Sequence, residues 1–281
     1  MRYKGPIFAL IHFAFLVGYI TLPSPVVGQL AERSGKTREF CSNWNSDGDR
    51  VGFNEVREFT IPASGSIEVD GGKNGGISVI GTDRSDVTVR ACVNAWGTSD
   101  SNAQAIARNV TITRGGVIRG ENNSDDKNWG VSFQVMIPRN HDLKLTAMNG
   151  GIAISDVNGQ IEFATVNGGV KLTGLSGDVR GKTTNGGVSV KLEGSTWLGT
   201  GLDVATTNGG VSISLPEGYA VNVETGTVNG GYKTDFADLE VDRSERRRPV
   251  KVNTSLNGGG PLVKVVTTNG GVNINKYGLH P

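Results

Sequence analysis

Groups that carry covalent or metal chemistry are scarce in this sequence. The 281 residues include two cysteines and three histidines, and 6% are aromatic. His12 and His280 lie near the two ends, leaving His141 alone in the body of the chain. No Ser-His-Asp arrangement is therefore legible, and two cysteines with so few histidines do not make a zinc site. Charge of one sign is missing too. A formal net charge of +1 excludes a basic field for nucleic acid and an acidic tail. After residue 22 no apolar run is long enough to span a bilayer. The sequence assigns no catalytic residue, no metal ligand and no cofactor.

One apolar run does exist, Ile7 to Leu22, behind Arg2 and Lys4. Val26 and Gly28 are small enough for a signal-peptidase site, so residues 1–28 are expected to be a signal peptide cleaved before Gln29. An uncleaved membrane anchor is the alternative. Either way the remainder is expected to be exported, to the periplasm, the cell surface or the medium. In an oxidising compartment Cys41 and Cys92 are expected to pair. Such a bond closes a loop of about 50 residues, worth roughly 4 kcal/mol in the chain-entropy account.

Glycine is abundant, 42 residues, and its distribution is regular. Asn-Gly-Gly begins at positions 74, 149, 167, 185, 208, 229, 257 and 269. Weaker echoes, "VNGQIEF" and "LSGDVRG", fall midway between copies, so the unit is about nine residues doubled to eighteen. Aligned on the last seven asparagines, the third residue onward is Ile152, Val170, Val188, Val211, Tyr232, Gly260 and Val272. The fifth is Ile154, Leu172, Val190, Ile213, Thr234, Leu262 and Ile274. Polar residues stand between them, the period of two of a half-buried strand. Thr or Ser precedes most of these asparagines by two positions, where a hydroxyl can bond a neighbouring coil.

Asn and Gly tolerate positive φ. Asn149, Asn167, Asn185, Asn208, Asn229, Asn257 and Asn269, with Gly150, Gly168, Gly186, Gly209, Gly230 and Gly270, are accordingly read as structural turn residues. If coils stack, the asparagines form a ladder of amides about 4.8 Å apart. Two all-β folds fit: a parallel β-solenoid, and an antiparallel meander, because Asn-Gly also makes hairpins. Equal columns at a spacing of eighteen favour the solenoid.

The expected organisation is a solenoid over 149–276, a β-rich cap region over 29–148 and a tail over 277–281. The cap holds strands such as "GSIEVDGG", "GGISVIG" and "VSFQVMIP" and one short helix near 101–108, capped by Ser101 or Asn102. It would cover the open strand edges at one end of the stack.

With these columns in view, "GSIEVDGGKNGGISVIGTDRSDVTVRACV", the helix after it and the "TxNGGVxI" series resemble the bacterial putative adhesin family of β-strand-repeat proteins. The resemblance covers roughly 55–276 and extends to an auto-transporter-adhesin-like group. It implies a secreted or envelope-attached β-helical domain. The family has no assigned biochemical function and supplies no residue-level site.

Enzymes built on β-helices place carboxylates on an exposed strand face. Here the outward positions after each Asn are mostly Ser, Lys and Asn, with Asp235 the one acid. Glu162 and Asp178 near Arg180 are the nearest approach to an acid/base group and read as surface charge. "NWNSDGDRVGFNE" resembles the front of a calcium loop, but Asn54 stands where the closing Glu belongs and Glu55 is one late; it reads as a polar loop. "RSERRR" (243–248) reads as a solvated insertion beside Glu240 and Asp242. The function expected is that of an exported, non-enzymatic adhesin or envelope scaffold, with a glycan or an envelope protein as partner. The alternatives are a carbohydrate-active β-helix enzyme and a periplasmic sensor or assembly partner.

Overall fold

A computed structural model of the chain describes residues 40–41, 50–241 and 249–278. The expected signal peptide, most of the calcium-like loop, the RSERRR segment and the last three residues lie outside the described residues.

The fold is a β-solenoid-like stack of two long, open ten-stranded sheets. The amino-terminal part comprises β1 (Val51–Pro62), β2 (Ile67–Asp70), β3 (Ile77–Thr82), β4 (Asp86–Gly97), α1 (Asp100–Asn109), β5 (Val110–Ile112), β6 (Val117–Asn122) and β7 (Trp129–Pro138). The eighteen-residue repeats give β8 (Leu143–Ala147), β9 (Ile152–Ser155), β10 (Asn158–Asn167), β11 (Val170–Thr173), β12 (Ser176–Asn185) and β13 (Val188–Lys191). Then come β14 (Gly201–Asn208), β15 (Val211–Pro216), β16 (Val221–Asn229) and β17 (Tyr232–Thr234). A short 3-10 turn (Ala237–Leu239) precedes β18 (Val250–Leu256), β19 (Leu262–Asn269) and β20 (Val272–Tyr277).

Each regular coil runs up one sheet, turns at Asn-Gly-Gly and returns along the other. Sheet A reads β1-β4-β7-β3-β9-β11-β13-β15-β20-β17 and sheet B reads β18-β16-β19-β14-β12-β10-β8-β2-β6-β5. Coil-to-coil pairing is parallel and in register, for example Val170 with Ile152 and Val188, and Asn167 with Asn185. The antiparallel meander is thereby excluded for the repeats. The apolar columns point between the sheets, where Ile152, Val170, Val188, Val211 and Val272 are buried against Leu143, Leu145, Ile161, Val179 and Val204. β-branched side chains suit such stacked parallel strands, which need apolar cover on the inner face.

Two features of the stack depart from the sequence reading. β2 and β3 already form a coil, paired in register with β8 and β9, so the stack reaches back to Ile67. The order of coils also departs from chain order at the other end. β19 and β20 lie between β14/β15 and β16/β17. The last repeat in sequence is thus slotted inside the stack. β18 then pairs antiparallel with β16 and closes that edge of sheet B.

The ladder of asparagine amides runs through Asn74, Asn149, Asn167, Asn185, Asn208, Asn269 and Asn229, each Nδ2 from Asn149 onward donating to the Oδ1 of the asparagine before it in that order, while the Asn74 Nδ2 donates to the Trp129 carbonyl. The interior links are 2.8 Å. Buried threonine hydroxyls run beside it, Thr165, Thr183, Thr206, Thr267 and Thr227 donating to the first-glycine carbonyl of an adjacent coil at 2.8 Å. Asn257 is outside the ladder, a correction to the column drawn from sequence. It has φ +49, and its Nδ2 donates to the carbonyls of Glu217 and Tyr219 as the chain wraps over the start of β16.

The reason for the glycines also differs from the one expected. The corner glycines of the ladder are not in the left-handed region. They are required by close approach: a Cβ on Gly186 would lie 2.1 Å from the Gly168 carbonyl oxygen. Gly150, Gly168, Gly209, Gly230 and Gly270 meet neighbouring backbone at 1.9–2.1 Å in the same way.

The helix is capped by Ser99, two residues before Ser101 and three before Asn102, its hydroxyl accepting from the Asn102 N–H. Arg57 of β1 donates to the Ala107 and Val110 carbonyls at the other helix end. A cation there complements the helix dipole, and α1 is held across β1 and β4.

Candidate functional site

Stacking in register turns each outward sequence position into a row along the coil axis. The two sheets carry different rows. On sheet B the row is Glu68, Lys144, Glu162, Arg180, Asp203, Lys264 and Glu224, neighbours in that order. The signs alternate at every step. Lys144 lies 3.6 Å from Glu68 and Lys264 lies 3.3 Å from Asp203. Glu162, Asp178 and Arg180, the nearest approach to an acid/base group in the sequence, belong here; Arg180 pairs with Asp178 at 3.1 Å. In chain order Asp203 would be followed by Glu224. The slotted last coil places Lys264 between them, so the alternation exists only in space.

On sheet A the corresponding row is Gln134, Ser78, Ala153, Lys171, Ser189, Ser212, Asn273 and Lys233, over the eight strands from β7 to β17. It contains no carboxylate. A second row, Met136, Ile80, Ser155, Thr173, Lys191, Ser214 and Asn275, has none either. Lys191 is engaged, bonded to Glu193 and lying 5.0 Å from the Tyr277 ring centre; the Glu193 bond raises its pKa. Neither Lys171 nor Lys233 forms an ion pair among the described residues. Among the described residues sheet A therefore offers rows of hydroxyl, amide and ammonium groups, with Met136, Ile80 and Ala153 toward the β7 end and no carboxylate to offset Lys171 and Lys233, and sheet B a row that neutralises itself.

The amino-terminal segment adds relief to sheet A. Cys41 is disulfide-bonded to Cys92, whose side chain is on the outer face of β4. The bond holds Phe40 over the same face, with the Arg90 guanidinium 5.1 Å from its ring centre. Arg90 is itself tied to Gln134 and Glu58. A trough of about 350 Å³ follows, crossing β7, β3, β9 and β11 with Phe40 at one side and Lys171 on the last strand. Its floor includes Gly76, Ser78, Gly151 and Ala153. A larger hollow of about 480 Å³ on sheet B is walled by Lys144, Glu162, Arg180 and Asp203, four members of the neutralised row.

Other residues singled out in the sequence do not converge. Asn54 and Glu55 of the calcium-like loop are strand residues of β1; Asn54 donates to the Cys41 carbonyl and Glu55 pairs with Arg57. His141 is half-buried at the start of a coil, its backbone N–H bonded to Asn158. Among the described residues no three His, Cys, Asp or Glu side chains cluster in a way that could hold a metal ion. No helix among them is long and apolar enough to cross a membrane.

Phe40 and the sheet B charge row were missed in the sequence. From Lys144 onward the row sits five residues before each ladder Asn, and Glu68 six before Asn74, a column that alternates only when the last two coils are exchanged.

No curated protein matches the sequence. Several solved structures are similar to the chain. A putative cell adhesion protein from Clostridium sporogenes is 9% identical, with 79% of this chain and all of that one covered and a TM-score of 0.43. A putative adhesin from Bacteroides fragilis is 9% identical over 79% and 97%, with a TM-score of 0.37. A putative lipid binding protein from Parabacteroides distasonis is 13% identical over 79% and 96%, with a TM-score of 0.31. The profile of the Toastrack family, DUF4097, matches residues 58–275, which spans both sheets and the whole asparagine ladder, and the chain belongs to that family.

Proposed function

We propose that the protein is a non-enzymatic interaction module working outside the cytoplasm, and that the outer face of sheet A is its contact surface. The observation that carries this reading is the contrast between the faces: two outward rows of sheet A lack any carboxylate across seven or more strands, while sheet B cancels its own charges. A surface with uncompensated ammonium groups attracts acidic or polyhydroxylated polymers, and equal spacing of its rows suits a partner that also repeats. A disulfide on the rim of that face supports an oxidising compartment, the setting expected of envelope or surface material. The adhesin-like role drawn from the sequence is kept in this form.

The test is binding of the purified chain to whole cells and envelope fractions. Ser212→Trp with Lys233→Glu alters sheet A away from the trough; Lys144→Glu with Glu162→Lys alters sheet B while keeping a charge of each sign. Loss with the first pair and retention with the second supports the reading. Equal retention by both would refute it.

A further inference from the structure

We propose that the trough beside Phe40 is a subsite for a carboxylated sugar within a linear acidic polysaccharide lying along the coil axis. The inference rests on the reading of sheet A as the contact face. Three observations carry it.

The first is the aromatic ring. Phe40 is a half-buried phenylalanine held by a covalent tie over a sheet face of small side chains, with Arg90 against one side of its ring. An aromatic face is electron-rich and attracts polarised C–H groups and cations. A pyranose ring presents one such C–H face, and an extended phosphate chain presents none.

The second is the ammonium. Lys171 faces outward on β11, with Ala153 and Ser189 as its row neighbours and no acid opposite it. From β7 to β11 are three strand spacings, about 14 Å. That length accommodates a short run of sugar rings, with one ring on Phe40 and a carboxylate further along meeting Lys171. A charge-assisted bond of this kind is stronger than one between neutral groups.

The third is the floor. Gly76 and Gly151 carry no side chain, Ala153 carries one methyl, and Ser78 adds a hydroxyl between them. The small floor lets a flat ring approach the sheet, and the hydroxyl and Asn-bearing rows beyond continue the track for sugar hydroxyls. Negative charge on the ligand is favoured because neither outward row has a carboxylate to repel it, whereas the sheet B hollow presents Glu162 and Asp203.

The experiment is calorimetric titration of the full chain with oligogalacturonate of defined length, with a neutral cello-oligosaccharide of equal length and with short-chain polyphosphate. Variants are Phe40→Ala, Lys171→Ala and, as a conservative control, Lys171→Arg, each checked for an unchanged melting temperature. The expected result is oligogalacturonate binding that weakens about tenfold in Phe40→Ala and in Lys171→Ala, survives in Lys171→Arg, and falls with added salt. Polyphosphate binding that responds to Lys171 but not to Phe40 agrees with the same arrangement. Oligogalacturonate binding unaffected by both alanine variants, or binding of the neutral sugar in its place, overturns the subsite. The contact-face reading is judged separately, by Ser212→Trp with Lys233→Glu, which leaves the trough intact.

Discussion

Reversing the charge of Lys264 tests the packing order of the coils. This side chain stands between Asp203 and Glu224 on adjacent parallel strands and reaches Asp203 at 3.3 Å. Lys264→Glu replaces two attractions with two repulsions. Opposite charges facing across strands contribute roughly 0.2–1 kcal/mol, and like charges cost a similar amount. Both partners are partly exposed, which argues for the lower part of that range. Each of the two contacts then swings by about 0.5–1 kcal/mol, and the substitution costs about 1–2 kcal/mol. For a domain of this size that lowers the melting temperature by roughly 3–6 °C. Adding Glu224→Lys to Lys264→Glu restores one attraction and should recover about half the loss. Thermal melts of the wild type and the single and double variants, in low salt and in about 1 M sodium chloride, provide the assay, since at that ionic strength screening acts within about 3 Å. A loss that is unchanged in high salt, or that Glu224→Lys fails to reduce, would show that the charge row does not help to place the last coil.

Three further outcomes are expected. Gly168→Ala should cost several kcal/mol, because its Cβ would meet the Gly150 carbonyl at 2.1 Å. Gly169→Ala, with its nearest contact at 3.5 Å, should stay within about 1 kcal/mol of wild type in a denaturant titration. Burial pushes the Tyr219 phenol up to about 12 from its ordinary value near 10. Its neutral form is the one the fold accommodates, so this contribution is whole below pH 10 and is lost as pH rises from 10 through 12. Unfolding free energies across that range should fall more steeply for wild type than for Tyr219→Phe. Reducing the Cys41–Cys92 bond should lower stability by about 2–4 kcal/mol. It should also abolish the Phe40-dependent part of ligand binding, measured before and after reductant.

The repeat was legible because its causes are local. An outward and inward alternation between Asn-Gly-Gly corners shows in any one copy, and Val170, Val188 and Val211 are buried where the period places them. Asn257 misled because its tripeptide is identical to the others. What differs is the path afterwards, where Gly258 and Gly259 adopt left-handed φ and the chain turns over β16 rather than across to sheet A. Positive φ was the wrong reason for the corner glycines, since the contact that requires them comes from an adjacent coil. The charge row depends on spatial order, and Phe40 depends on a disulfide to a strand 51 residues away. Both are long-range facts that no window of sequence displays.

Slotting β19 and β20 between earlier strands means that synthesis order and assembly order cannot coincide. While the ribosome is still making Val272–Tyr277, the β16/β17 coil has β18 along its outer edge but no finished coil of the stack to rest on, and a berth one strand wide stays open beside β15. A chain released early lacks an inner plank, not its outermost one. Evolution meets the same constraint. Duplicating an eighteen-residue unit between 149 and 208 lengthens the protein harmlessly, whereas adding units after residue 269 would jam the keystone, so length variation should gather in the middle.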